Sequence, residues 1–331
     1  MLTIAVTAFL LALCGQPVAI FCLRRWSVLD RPTARSSHRI PTPRGGGIAV
    51  IFALVVSGCL AGVAGPTRLA LLAVLLSAGV GLIEDLRGIP VLRRLSLQFL
   101  AVTPLVFATS GQARLPVALW AAFSVVYLVS VMNAVNFMDG INGITSAQGM
   151  VAGVAFAILA TRYHQPDLAV FAASTAAVCL AFLPFNAPRA RVFLGDSGSY
   201  GLGAAMGALS LSVWAAGVPW EGSVAPLAIY LADTGTTLVR RIRAGEAIGL
   251  PHRTHVYQRL TDVGWSHTRV SAYVLVCAAC CSVLGAVSLR GGATRLGADI
   301  GLALVVVGYL ASPLLARTLP HPTTLRLQAA R

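Results

Sequence analysis

Two short polar stretches carry residue types able to do chemistry: Asn136-Phe-Met-Asp139-Gly-Ile-Asn142-Gly143 and Phe193-Leu-Gly-Asp196-Ser-Gly-Ser199. The first follows about twenty mostly apolar residues, and both stand between apolar runs. In a soluble chain such stretches are surface turns, because Asn, Asp and Gly adopt the backbone angles turns need. At the mouth of a membrane helix, polar residues are costly and usually functional. Hard cations such as Mg²⁺ favour a few carboxylates completed by substrate phosphates. Acids scattered along one face, with arginines nearby, therefore suit Mg²⁺-dependent phosphoryl or glycosyl-phosphate transfer. For Asp196, capping of the following helix is a competing role, and it is compatible with metal binding.

Glu84-Asp85 closes another apolar run, and paired carboxylates there can hold a divalent cation or act as a general base. The alternative is a helix end neutralised by Arg87. Acidic residues at a helix C-terminus oppose its dipole, so stability alone is a poor reason for two of them. The loop 240–267 carries Arg240, Arg241 and Arg243, then Pro251-His252-Arg253-Thr-His255. His252 and His255, three apart, are expected to share a helical face. With no cysteine beside them, they and Arg253 fit phosphate oxygens better than zinc. Arginine anchoring at anionic headgroups explains Arg240 to Arg243 but not the histidines. Asp233, about two turns before Arg240, calls for an Arg or His partner. Gly45-Gly46-Gly47, ahead of an apolar run, offers free backbone N–H groups to a phosphate or, more blandly, close helix packing.

These residues must be positioned by membrane helices. The 331-residue chain is 57% hydrophobic and 11% charged, with mean hydropathy +0.80, against about 25% charged in a soluble domain. Its net charge of +14 is not arranged as a basic stripe interleaved with aromatic residues, which excludes a nucleic-acid reading. The seven cysteines all lie in apolar spans and read as packing residues. No basic residue precedes the first apolar run, while Arg24 and Arg25 follow it, so it reads as an uncleaved span.

Apolar runs of about 17–25 residues predict an all-α, polytopic membrane helix bundle of about eleven transmembrane helices in a single domain. The spans fall near 3–22, 46–65, 67–83, 95–110, 115–135, 144–161, 168–186, 198–217, 222–239, 268–289 and 296–316. With the N-terminus outside and the C-terminus cytoplasmic, 20 of the 25 arginines lie on the inner side and five on the outer. Every candidate functional stretch then falls on the cytoplasmic face.

From His38 to about Leu260 the chain resembles the polyprenyl-phosphate N-acetylhexosamine-1-phosphate transferases. The resemblance rests on His38-x-x-Pro-Thr-Pro-Arg44-Gly-Gly-Gly, Glu84-Asp85, Asn136-x-x-Asp139-Gly-x-x-Gly, Phe193-x-Gly-Asp196-Ser-Gly-Ser and the His252/His255 loop, in the family's order. It implies attack by the phosphate of undecaprenyl phosphate on the β-phosphorus of a UDP-amino sugar, releasing UMP, with Mg²⁺ (or Mn²⁺) required. By motif position Asp196 is the implied metal ligand, and Glu84 and Asp85 the catalytic pair at the lipid phosphate. Asn136 and Asp139 match the site for the donor diphosphate. His252, Arg253 and His255 match the loop holding sugar and phosphates, and Arg39, Arg44 and Asn142 complete the substrate-binding set. The implied setting is a bacterial inner membrane, with undecaprenyl phosphate, a UDP-amino sugar and membrane lipids as partners, nucleic acid excluded, and a homodimer left open.

Two departures from the pattern stand out. Glu84 replaces the usual first Asp, moving the carboxylate by about 1 Å, and a shift of that size can cost about 100-fold in rate. Asn142 stands where many members have Asp, which removes a charge near the expected base site. The rival readings are a catalytically inactive scaffold of the same fold and a secondary transporter. A transporter needs ionisable residues near the bilayer midplane, for which Asp233 is the one candidate.

Overall fold

The computed structural model describes residues 1–32, 40–111, 115–247, 249 and 252–318. Helices dominate, as apolar chain in a membrane requires, because only internal hydrogen bonding satisfies the backbone there. They are α1 (Leu2–Arg25), α2 (Gly47–Leu60), α3 (Gly65–Arg87), α4 (Val91–Ser110), α5 (Val117–Met138), α6 (Ile144–Arg162) and α7 (Pro166–Asn186). They continue with α8 (Gly195–Ala215), α9 (Trp220–Val224), α10 (Ala228–Arg243), α11 (Val256–Asp262), α12 (His267–Ser288) and α13 (Gly292–Thr318). Two short strands, β1 (Leu29–Asp30) and β2 (Thr42–Pro43), pair antiparallel between α1 and α2.

Among the described residues, eight helices are long and apolar enough to cross a membrane: α1, α3, α4, α5, α6, α7, α12 and α13. The chain is thus an all-α polytopic membrane protein. Each of the eleven expected spans coincides with helix, but three depart from a simple crossing. α2 has only 14 residues. The segment expected at 222–239 is broken into α9, a 3₁₀ turn at Ala225–Leu227 and α10, with Pro226 at the break.

α8 is the third departure and the centre of the bundle. Every residue from Ser197 to Val213 is buried, packed by α3, α5 and α2. A helix enclosed by other helices needs small residues more than lipid-facing ones, hence its Gly-, Ala- and Ser-rich sequence. A Cβ on Gly47 of α2 would lie 2.1 Å from the Cα of Gly198, and one on Gly81 of α3 would lie 2.1 Å from the carbonyl oxygen of Asp196. These contacts hold the start of α8 against its neighbours and fix where Asp196 sits.

The Gly45-Gly46-Gly47 backbone is occupied by protein. The N–H groups of Gly45 and Gly46 donate to Phe193 O, at 3.1 and 2.9 Å, and that of Gly47 donates to Leu194 O at 2.9 Å. The phosphate-cradle expectation is therefore corrected: the triplet lets the chain before α2 lie against the chain before α8. Gly45, with φ +112°, is the one of the three that also needs glycine's left-handed freedom.

Candidate active site

The polar stretches converge at one end of the bundle around a cleft of about 320 Å³. Arg44 is its keystone. It follows β2, and its Nε donates to Asp85 Oδ1 at 2.9 Å while Nη2 meets Asp196 Oδ2 at 2.8 Å. The other oxygen of Asp196 accepts from Asn136 Nδ2 at 2.8 Å, and the same amide donates to Ser199 Oγ at 2.9 Å. Asn136, in the last turn of α5, thus aims the Asp196 carboxylate. Asp196, Asn136, Arg44 and Asp139 all line the cleft.

Asp85 does not line it. Its side chain is 2% exposed, and its two oxygens accept from the backbone N–H groups of Asp196 and Ser197, each at 2.9 Å. A helix start leaves such N–H groups without internal partners, and Asp85 caps α8 from a distance of 111 residues. Capping by Asp196 itself is corrected, because it lies in the first turn of α8 with its own N–H held by Asp85. Glu84 points elsewhere, as successive helical residues diverge by about 100°. It accepts from Ile89 N–H at 2.7 Å and faces Arg94 Nη1 at 3.5 Å. The structure therefore divides the expected catalytic pair. Asp85 sits beneath the cleft, holding Arg44 and the start of α8, and Glu84 belongs to a second polar cluster beside it.

That cluster lies between α3, α4 and α5. Asn133 Nδ2 donates to Gln98 Oε1 at 2.7 Å, while the buried Arg94 Nε and Gln98 Nε2 have no hydrogen-bond partner among the described residues. Buried donors without partners are uncommon in folded proteins and mark a place for water or a ligand.

The 252–258 segment and the start of α12 complete the lining. His252 and Arg253 line the cleft, whereas His255 does not. The shared helical face is corrected: α11 begins only at Val256, and His255 is its extended N-cap, in a capping box with Gln258. The two rings nevertheless lie 4.9 Å apart. His255 is buried, with Nδ1 3.0 Å from Asp233 Oδ1. Asp233 also accepts from Val256 N–H and, at 2.8 Å, from Tyr309 Oη. Its expected partner is thus found, and a fully buried, fully paired Asp233 is not a pore-facing transport residue. Arg240 donates to Thr254 O at 2.9 Å and Arg241 pairs with Glu246 at 3.0 Å, so both tie the loop back rather than serving only as lipid anchors. Burial and the neighbouring His255 lower the His252 imidazole to about 4, so it is neutral at physiological pH. Its Nδ1 lies 2.9 Å from Thr254 Oγ1.

Asn142 reaches the cleft edge with its Nδ2 donating to Pro188 O at 3.0 Å and its carbonyl accepting from Ser271 Oγ at 2.8 Å. Arg253 lies 3.1 Å from Asp262. Arg39 lies outside the described residues. Sequence reasoning missed Asp30, Asn186, Gln258 and His267, all of which line the cleft. Asn186 receives Gly143 N–H at 2.6 Å and donates to Val192 O at 3.0 Å, so it locks both polar stretches together. No local motif surrounds it, and its position at the end of an apolar run is the one signal it offered.

The donor set can be tested against a divalent cation. Among the described residues no three His, Cys, Asp or Glu side chains cluster closely enough to hold a metal alone. Asp196 and Asp139 both line the cleft. Burial, with the Asp196 charge adding to it, pushes the Asp139 carboxyl up to about 7. Two cleft carboxylates are too few to hold a hard cation alone and suit one that completes its shell with phosphate oxygens and water.

Comparison with known proteins places the chain among its relatives. Residues 67–214 match the family model Glycosyl transferase family 4. The decaprenyl-phosphate N-acetylglucosaminephosphotransferase of Mycobacterium leprae (strain TN) is 30% identical over 290 residues, covering 74% of this chain and 73% of that protein. The probable undecaprenyl-phosphate N-acetylglucosaminyl 1-phosphate transferase of Bacillus subtilis (strain 168) is 25% identical over 291 residues, covering 82% and 80%. The phospho-N-acetylmuramoyl-pentapeptide-transferase of Geobacillus kaustophilus (strain HTA426) is 30% identical over 234 residues, covering 62% and 72%.

Proposed function

We propose, from the premise that this chain belongs to glycosyl transferase family 4, that it transfers sugar-1-phosphate from a UDP-N-acetylhexosamine to undecaprenyl phosphate. The observation that carries the reading is the Arg44–Asp85–Asp196–Asn136 constellation at the cleft, which His252 and Arg253 also line. An oxygen of the lipid phosphate attacks the β-phosphorus of the donor. The bond from that phosphorus to the bridging oxygen breaks, UMP leaves with the electron pair, and the sugar remains on the transferred phosphate as a lipid diphosphate. A phosphate monoester has a second pKa near 6, so the attacking group is largely dianionic at neutral pH and needs little deprotonation.

The protein's task is then positioning and charge neutralisation. Asp196 and Asp139 would hold Mg²⁺, which when bound neutralises charge on the donor diphosphate. Arg44 and Arg253 place positive charge at the cleft, and neutral His252 offers an uncharged ring donor to a phosphate or sugar oxygen. The partnerless donors at Arg94 and Gln98 support an approach of the acceptor phosphate from the Glu84 side, sideways between helices. In this reading the bundle crosses the bacterial inner membrane eleven times with the cleft facing the cytoplasm, and the product begins a lipid-linked envelope glycan such as O-antigen, capsule or cell-wall polymer.

The test uses purified protein in nanodiscs with undecaprenyl phosphate, Mg²⁺ and a panel of UDP-N-acetylhexosamines. UMP release with one donor, lost with EDTA and in Asp196→Asn, supports the function and names the sugar. Folded protein that releases no UMP with any donor overturns it in favour of an inactive scaffold. Release that survives Asp196→Asn overturns the metal assignment.

A further inference from the structure

A second groove lies between the C-terminal part of α1 and the end of α7, on surface that shares no lining residue with the catalytic cleft. Its volume is about 620 Å³ and its walls are mostly apolar, with Ile20, Phe21 and Phe185 prominent. Three arginines border it: Arg24 and Arg25 from the last turn of α1, and Arg191 from the segment joining α7 to α8. All three are exposed, and none has an ion-pair partner among the described residues. Apolar walls leading to a cluster of uncompensated cations match an acyl chain ending in an anionic headgroup, with three cations available for one phosphodiester. Trp26, 72% exposed beside the arginines, is the residue type that settles at headgroup depth.

We propose that this groove is a binding site for an anionic phospholipid, its phosphodiester held by Arg24, Arg25 and Arg191 and one acyl chain lying along Phe21 and Phe185. The undecaprenyl acceptor is a poorer occupant, because its phosphate must reach the catalytic cleft. The site has a structural neighbour of consequence. Arg191 N–H donates to Phe185 O at 2.8 Å, and the next residues, Val192 and Phe193, pack behind Gly46 and bond its backbone. A bound lipid therefore lies against the outer side of the segment whose inner side lines the active site.

The experiment measures phospholipid retained by the full-length protein, by native mass spectrometry and by titration of phosphatidylglycerol into detergent-purified protein. Phosphatidylcholine and undecaprenyl phosphate run as separate arms. The comparison variant is Arg24→Gln/Arg25→Gln/Arg191→Gln, which removes exposed cations without opening the core. The expected result is phosphatidylglycerol bound in preference to phosphatidylcholine, with affinity falling on the order of 10- to 100-fold in the triple variant. An unshifted circular dichroism spectrum and unfolding midpoint in lipid-free detergent establish that the variant is folded. If it misfolds, the single variant Arg191→Gln decides the question by the same titration. Equal phosphatidylglycerol affinity in wild type and variant overturns the proposal. So does undecaprenyl phosphate displacing phosphatidylglycerol at equal concentration, which makes the groove an acceptor-docking site instead. Because binding is read without turnover, these outcomes are separate from success or failure of the transferase assay.

Discussion

Replacing Asp85 by Asn keeps the side-chain volume while removing one charge and turning one acceptor oxygen into a donor. In the wild type those oxygens accept from Arg44 Nε, Asp196 N–H and Ser197 N–H, all at 2.9 Å. With an amide, at least one of the three donors faces an N–H₂ group, and Arg44 loses one of its two carboxylate partners. A hydrogen bond to a charged group contributes about 1.5–3 kcal/mol, and breaking a buried pair costs about 3–5 kcal/mol. Arg44 is 38% exposed and keeps Asp196, so solvent offsets part of the loss and about 3 kcal/mol is the better figure. That corresponds to roughly 100-fold in an equilibrium. Because the perturbation falls on the start of α8 and on Arg44, it reaches donor binding as well as turnover. The folding equilibrium is therefore expected to shift by roughly 100-fold in Asp85→Asn, read from the unfolding midpoint, and UDP affinity in the presence of Mg²⁺, measured by calorimetry, to weaken together with kcat. A general base acts on the rate alone, contributing about 10²–10⁴. Unchanged UDP affinity and midpoint with a large loss of kcat would therefore refute the bracing role and restore Asp85 as a base.

Two further predictions follow from the same geometry. Gly81→Ala drives a Cβ to 2.1 Å from the Asp196 carbonyl, where backbone must move, whereas Gly79→Ala two residues earlier on α3 meets nothing within 4 Å. Thermal unfolding is expected to show Gly81→Ala destabilised by about 1–3 kcal/mol with weakened UDP binding, and Gly79→Ala unchanged or slightly stabilised. For His252, the native imidazole at about 4 lies below the unfolded value of about 6.5. The unfolded chain therefore binds more protons in that window, and the group's contribution to stability is lost as pH falls from about 6.5 to about 4. An NMR titration with labelled histidine should show His252 neutral down to about pH 5, and an inflection near 6.5 would contradict its assigned environment.

Local sequence revealed the helices and the polar stretches because hydrocarbon imposes a crude, strong rule: any polar residue stands out against it. What it concealed was partnership. Nothing near Asp85 indicates that its acceptors are filled by α8, and nothing near Gly45–Gly47 indicates that Phe193 and Leu194 take those N–H groups. Both facts arise from close approach of segments more than a hundred residues apart, set by glycine contacts whose effect is three-dimensional. The same holds for His255, which resembles His252 in sequence but is buried against Asp233. Asn186 and His267 were hidden for a different reason, as single polar residues at helix ends are common and gain meaning only when several helix ends converge. α8 was legible as an apolar run, but its burial on all sides shows only in its glycine-rich packing.

If the transferred group is a sugar carried on its phosphate, the donor's β-phosphorus must travel with it. UDP-N-acetylglucosamine labelled at that atom should be incubated with the protein, Mg²⁺ and undecaprenyl phosphate, and the aqueous and lipid phases separated. Label is expected in the lipid phase as a diphosphate, with unlabelled UMP in the aqueous phase in equal amount. Label leaving as UDP, with an unlabelled sugar on the lipid, would mean transfer at the sugar carbon and would contradict transfer of the sugar on its phosphate.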